Sequence, residues 1–395
     1  MTTAVNLSRG ACPRLESQHV RLEAEMAVEL YIRVQPTVGT ETIQTQAASI
    51  YECLGRILAE QGLNRADVLT ERLFFADIAA HSNTVKNVRA GFYQDDRDDL
   101  PATSFLQQQP AADGRLLELQ AYAVHSSSAA QDVEALIGLP AVTSGRRIST
   151  AGLSHIYLQN LTGGDDLADD DFRTQCRALF ERIRNVLKDH DLPVSQLVRT
   201  WIYLRDLEAD YDVLNEVRNA CFDEWGVTLL PASTGIEGAT LPASSRLSAD
   251  VCIVWGDGLG DIEHMHGESL GDAPAYGSAF SRGLRVPRSD RTVLYVSGTA
   301  SIDTAGNVVH VGDARGQCHR MLDNVDALLR PHAATLADTV HAVTYLKERD
   351  FLPIFQQACE ERGVPRDLLN TVVVADVCRP DWLCEIELTA VLPAT

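Results

Sequence analysis

Apolar positions along the chain fall into one order of patterns three times over. In the first third, Gln46 opens TQAASIYECLGRILAEQGL, whose apolar residues recur at helical spacing and predict an amphipathic helix. The segment ADVLTERLFFADI follows and predicts a strand holding Phe75, with Asp77 just after it. The second third repeats the order with Gln175, the helix CRALFERIRNVLKDHDL, and the strand SQLVRTWIYLRDL containing Leu204 and Asp206. In the last third Gln317 stands at the head of CHRMLDNVDALLRPH, and ADTVHAVTYLKERD carries Leu346 and Glu348. The separations Gln46 to Phe75, Gln175 to Leu204 and Gln317 to Leu346 are each 29 positions, the mark of an internal repeat.

Later landmarks recur in the same order. Leu100-Pro101-Ala102-Thr103 matches Leu230-Pro231-Ala232-Ser233 and, more loosely, Leu369-Asn370-Thr371. Each unit closes on an apolar strand, LLELQAYAV, RLSADVCIV or LCEIELTAV. The joints fall near 126–145, which contains SSSAAQ, and near 256–275, rich in Gly and acids; both read as linkers. The expected domains are therefore 15–130, 140–258 and 275–395. Alternating strands and helices predict an α+β unit with helices on one face of a sheet, the other face being free to pack. Three such faces are expected to meet around a common barrel-like core.

Composition narrows the function. The 395 residues carry 34 Lys+Arg against 55 Asp+Glu, a formal net charge of -21, which repels phosphate backbones and anionic lipid. Nucleic-acid and membrane partners are thus not expected. The first twenty residues show no signal-peptide h-region, and no apolar run reaches membrane-spanning length, so a cytoplasmic protein is expected. The 9 cysteines are scattered, odd in number and without a CxxC pair, and read as free thiols. His264 and His266 have no companion ligands nearby in sequence and read as loop residues, so no metal is expected.

The segments YVSGTASID, GDARGQC, ATLADTVHAVTYLKERD and CEIELTAV resemble the RidA-like (YjgF-type) proteins, which are homotrimers with a chorismate-mutase-like fold and active sites between subunits. Three fused copies look like a trimer written into one chain, a monomeric pseudo-trimer of RidA/YjgF-like repeats covering roughly 20–125, 145–255 and 278–393. LVRTWIYL, LPASTGI, AYGSAFSRG, HVGDARGQCHRMLDN and VCRPDWLCEIE further resemble the chorismatases, RidA-fold enzymes that split chorismate into pyruvate and a ring product. That resemblance implies a cofactor-free enzyme of secondary metabolism. Gly298 and Cys378 match the type that forms 3-hydroxybenzoate rather than the hydrolytic type that forms a dihydroxycyclohexadiene carboxylate.

Several residues carry the expected chemistry. Glu385 and Glu387 lie two apart on a strand and so share a face. A buried glutamate there would have its pKa raised toward that of a general acid. By the resemblance, Glu385 protonates the enolpyruvyl group; by itself it also reads as a strand carboxylate paired with a cation. A dianionic substrate calls for arginine forks, for which Arg379 and Arg282 are the candidates, with Tyr276 as a hydroxyl donor. Arg199 reads as a weaker candidate on a strand. Cys378 reads either as an activated thiolate or as a small buried residue that steers an intermediate. Gly298, with no Cβ, leaves room for substrate or forms a bulge. Gln317 recurs at each first helix, which suits a structural role, while the helix N-terminus there could also meet an anion. The RidA deaminase arginine, which follows Pro-Ala, is replaced by Thr103, Ser233 and Thr371, which disfavours an enamine or imine deaminase. A carboxylate-binding scaffold without turnover is the remaining alternative.

Overall fold

A computed structural model describes residues 6–12, 17–24, 27–36, 41–94, 100–126, 132–136, 143–150, 152–163 and 171–394. The first unit contains strands β1 (Asn6–Cys12), β2 (Ser17–Glu23), β3 (Ala27–Val34), β4 (Val68–Phe75), β5 (Ala102–Leu106), β6 (Gln109–Pro110) and β7 (Leu117–Ser126), with helices α1 (Ile43–Glu60) and α2 (Ile78–Tyr93). The second holds β8 (Asp132–Ala135), β9 (Ser144–Thr150), β10 (Leu153–Thr162), β11 (Leu197–Leu204), β12 (Ala232–Glu237) and β13 (Leu247–Trp255), with α3 (Phe172–Asp189) and α4 (Leu207–Trp225). The third holds β14 (Glu263–His264), β15 (Gly283–Pro287), β16 (Arg291–Ala300), β17 (Thr339–Leu346), β18 (Asn370–Val374) and β19 (Cys384–Pro393), with α5 (Ala314–Leu329) and α6 (Leu352–Glu361).

Each unit has its own mixed sheet, and the same four strands recur in each: β3-β7-β4-β5, β10-β13-β11-β12 and β16-β19-β17-β18. The last pair of each set is parallel and the others are antiparallel. Four helices start at an aspartate (Asp77, Asp171, Asp206 and Asp313) whose carboxylate accepts from a backbone N–H of the first turn, satisfying a donor the helix cannot. The two stretches read as linkers are partly strand. β8 in the first pairs with β9, and β14 in the second pairs with β15, so both add edges to their sheets, and His264 sits in a strand rather than a loop.

The recurring glutamine is a clamp between the first helix and the closing strand. Gln317 Nε2 donates to the carbonyls of Asp381 (2.8 Å) and His310 (3.2 Å), and its Oε1 accepts from Leu383 N–H at 2.8 Å. Gln46 spans Gly114 and Leu116 in the same way, and Gln175 spans Ser244 and Arg246. A buried amide with donor and acceptor both used explains the fixed spacing. This corrects the reading of Gln317 as a substrate contact.

The three units close into a ring. Gln107 of the first bridges Ala239 of the second, Ile236 of the second bridges Val377 of the third, and β18 of the third pairs with β6 of the first. Between the sheets lies a shared core to which all three units contribute, including Leu22, Val198, Val254, Val286, Val340 and Val391. The register makes Tyr31, Tyr157 and Tyr295 equivalent positions on β3, β10 and β16, so the molecule has a pseudo-threefold axis.

One local difference positions the site. β3 runs past β7 in unbroken register, whereas β16 slips against β19 between Val296 and Thr299, leaving Ser297 and Gly298 in a bulge. There Ser297 Oγ accepts from Ser233 N–H at 2.9 Å and donates to the Ser281 carbonyl, while Gly298 N–H donates to Thr234 Oγ1 at 3.0 Å. The bulge thus docks the third unit onto β12 of the second.

Candidate active site

A pocket of about 760 Å³, measured out to its open mouth, lies where α4 and β12 of the second unit face the third. Glu385 lines it from β19, only 3% exposed, and no hydrogen bond to its side chain is formed among the described residues. Burial, and secondarily the charge of Glu387, raise its pKa to about 8, while Arg282 and Arg199 oppose the rise. At neutral pH this carboxyl carries a proton it can give away.

Glu387 does not reach the pocket. It is held by Arg199 and Thr234 Oγ1, each at 2.5 Å, and by Trp201 Nε1 at 2.8 Å. The two glutamates share a strand face but divide the work: one is fully satisfied and the other faces open space. Arg199 belongs to this buried network, with its guanidinium over the Trp201 ring at 4.6 Å, and does not line the pocket.

Of the residues singled out in the sequence, Glu385, Cys378, Arg379, Arg282 and Gly298 come together around this pocket. Arg282 is buried, and its Nε donates to the Gly271 carbonyl at 2.8 Å. Arg379 Nη1 donates to the Gly306 carbonyl, and its guanidinium stacks on Trp382 at 4.9 Å. The Tyr276 side chain lies outside the described residues. Burial, reinforced by the charge of Glu385, pushes the Cys378 thiol up to about 12, and the Tyr211 hydroxyl hydrogen-bonds to it. A thiol so placed stays protonated, which corrects the reading of Cys378 as an activated thiolate. Gly298 has a steric reason: a Cβ there would lie 2.0 Å from Glu385 Oε1 and 3.2 Å from Thr234 Cγ2.

The other wall was not read from the sequence. Arg218, Asn215 and Tyr211 project from α4, with Arg218 bonded to Asn215 Oδ1 and lying over the Phe280 ring at 5.2 Å. Arg218 stands twelve residues after the capping Asp206, as Arg89 stands twelve after Asp77, a repeat signal that was available. Arg89 is tied to the buried Glu71 of its own unit at 2.7 Å. Thr200 occupies the position of Glu71 in the second unit and bonds Ser233 instead, so Arg218 turns to the pocket. Arg218, Arg282 and Arg379 give the pocket a cationic lining against the exposed Asp212 at its rim and a protonated Glu385. A polyanion with a proton-accepting carbon or oxygen near Glu385 suits this arrangement.

A family description, endoribonuclease L-PSP, matches residues 32–125, 139–253 and 271–392, one match in each unit. The chain belongs to this family. It is the RidA/YjgF family that the repeat segments resemble. A protein named chorismatase from Streptomyces hygroscopicus is 28% identical over 238 residues, covering 53% of this chain and 65% of that protein, just under two thirds of its length. A 3-aminoacrylate deaminase RutC from Acinetobacter baylyi is 29% identical over 94 residues, 24% of this chain and 75% of its own. The crystal structure of a chorismatase superposes with a TM-score of 0.61 at 20% identity, covering 82% of this chain and 93% of that one, which supports the tandem α+β architecture. Among the described residues no helix is long and apolar enough to cross a membrane.

Proposed function

We propose that this protein is an enzyme that cleaves chorismate to pyruvate and 3-hydroxybenzoate. The observation that carries the reading is Glu385, a buried carboxyl that keeps its proton to about pH 8 and faces a pocket lined by three arginines. The similarity to a protein named chorismatase supports the substrate. Arg218, Arg282 and Arg379 hold the two carboxylates of chorismate, with Arg218 supplied by the second unit and the other two by the third.

Glu385 protonates the enolpyruvyl methylene carbon, and the ether oxygen becomes electron-poor. The C3–O bond then breaks, its electron pair forming the carbonyl of pyruvate, while the ring C4 hydroxyl oxygen bonds to C3. The hydroxyl proton returns to the Glu385 carboxylate. The resulting arene oxide opens, and loss of a ring proton completes 3-hydroxybenzoate. All atoms of chorismate are divided between the two products, so no water is consumed. The hydrolytic alternative consumes one.

Two features support the ring-internal branch. Gly298 leaves the side of Glu385 open where a Cβ would collide, and the neutral Cys378 thiol beside it fills space without offering a base. The deaminase reading is disfavoured by Thr103, Ser233 and Thr371. Two of these short hydroxyls serve Glu71 and Glu118, and the third lines the pocket without an arginine's reach.

The test is incubation of the purified protein with chorismate, resolving products by mass spectrometry. Equimolar pyruvate and 3-hydroxybenzoate are expected. Pyruvate with the dihydroxydiene acid would overturn the branch, and no pyruvate above spontaneous decay would overturn the substrate.

A further inference from the structure

Residues 277–282 lead into β15 along the wall of the Glu385 pocket, and the proposed reaction uses Arg282 alone among them. The second unit fixes this stretch at two places. Asn219 on α4 holds its backbone with both ends of the amide, Nδ2 donating to the Gly277 carbonyl at 2.7 Å and Oδ1 accepting from Ala279 N–H at 3.0 Å. Farther along, Ser281 N–H donates to the Pro231 carbonyl at 3.0 Å. Phe280 stands between these anchors, buried, with its side chain in the pocket wall.

Two of the three pocket arginines lie over its ring. The Arg218 guanidinium carbon is 5.2 Å from the ring centroid, and that of Arg282 is 5.7 Å from it. Arg218 comes from α4 of the second unit and Arg282 from the third, so one ring bridges the seam. Two guanidinium groups brought this close repel, and more strongly where water is scarce. The face of an aromatic ring carries negative charge density, attracts both, and offsets part of that repulsion. A single side chain thus governs where the two cations stand relative to each other. Arg379 has a ring of its own in Trp382 and lies outside this pairing. Two cations held at a set separation favour a ligand with two carboxylates, because the second contact needs little further ordering.

We propose that Phe280 is a positioning residue that holds Arg218 and Arg282 at the separation required by two carboxylates on one small ring. The inference rests on the reading of this pocket as an anion site, and it names the side chain that makes the site select dianions.

Isophthalate, with two carboxylates on one benzene ring, is the probe, and benzoate is its single-carboxylate counterpart. Both are titrated by calorimetry. The wild type is expected to bind isophthalate about tenfold more tightly than benzoate or better, and R282Q to lose that preference, which places the probe in this pocket. Phe280→Leu keeps an apolar side chain without the aromatic face. Its affinity for isophthalate should fall about tenfold, and that for benzoate much less. A sharper variant carries trifluorophenylalanine at position 280, nearly the same shape with the negative charge of the face withdrawn. Isophthalate binding should weaken severalfold there at an unchanged melting midpoint, a loss that packing alone does not produce. This variant also decides the matter should Phe280→Leu fail to fold. Equal losses for the two ligands, or wild-type affinity in the trifluorinated protein, would overturn the proposal. So would isophthalate binding no tighter than benzoate in the wild type, or isophthalate binding unaltered in R282Q. None of these readouts needs turnover. Phe280-dependent isophthalate binding without pyruvate release from chorismate would keep this inference and remove the proposed reaction.

Discussion

Glu385 and Glu118 occupy the same position in two units, opposite Tyr345 and Phe74 respectively, and they have opposite surroundings. Glu118 is met by Arg33 at 2.5 Å, Gln35 at 2.7 Å and Thr371 of the neighbouring unit at 2.7 Å. Glu385 is met by none of these. Arg33 is on a straight strand, whereas the same stretch of the third unit bulges at Ser297 and Gly298, with no side chain to reach the carboxyl. The cleft between the first and second units is closed differently again: Ser248 stands at the glutamate position, and Asp250 is buried against Arg72, Ser104 and Tyr203. One fold position therefore yields an ion-paired strut, a plain hydroxyl or a poised acid. What differs is whether a cation from the adjacent strand reaches it.

Breaking the poised side has the largest expected effect. Glu385→Gln keeps the shape and removes the proton, and turnover of chorismate should fall about 10³-fold, ~4 kcal/mol of barrier. Pyruvate release reads the rate, and a circular-dichroism melt checks the fold. Glu118→Gln should leave the rate of folded protein unchanged, and a comparable loss there would erase the distinction between the two clefts.

The strut should respond in stability instead. Arg33→Ala strands a buried carboxylate and is expected to cost about 3–5 kcal/mol in urea unfolding. An unchanged midpoint would mean that Gln35 and Thr371 alone satisfy Glu118.

The pH response sharpens the same contrast. Glu385 binds its proton more tightly folded, up to about pH 8, than unfolded. Between the ordinary glutamate range and pH 8 the folded state therefore holds the extra proton, and stability falls as pH rises through that window, by at most about 1.4 kcal/mol per pH unit. Activity should likewise decline above about pH 8. The Glu385→Gln melt should be flatter over this window, and parallel wild-type and variant profiles would refute the assignment.

Gly298→Ala is the smallest of these changes. Its Cβ must displace Glu385 Oε1, and overpacking of ~1–3 kcal/mol predicts a rate loss of about tenfold with a shifted product ratio. An unaltered ratio would remove Gly298 from control of the branch.

The repeated half of the fold was legible because local rules wrote it three times. The glutamine clamps, the helix periods and the closing strands depend on spacing within a unit. Glu385, Arg282, Arg379, Cys378 and Gly298 were legible as chemistry in the third unit. Arg218, Tyr211 and Asn215 were not read, because the wall they form is contributed by another unit; the repeat spacing shared by Arg218 and Arg89 marked the position but not the cleft it faces. On α4 the buried Arg218 shares its face with Leu214, Cys221 and Phe222, where a pattern of polarity suggests solvent rather than a pocket. Glu387 illustrates the converse, since same-face geometry cannot tell a hydrogen-bonded buried carboxylate from one that faces a pocket.

The two-residue strand β6 has a consequence for any attempt to shorten the chain. It covers the outer edge of β18, with Ala111 N–H continuing the pairing onto the Val372 carbonyl at 2.9 Å. Excising the first unit would leave the run Thr371-Val372-Val373-Val374 as a bare, apolar, charge-free edge, the kind of strand that recruits its own copies into aggregates. The repeat farthest from Glu385 in sequence thus covers an edge of the repeat that carries it, and a chain cut back to the last two units is expected to self-associate, as light scattering would read.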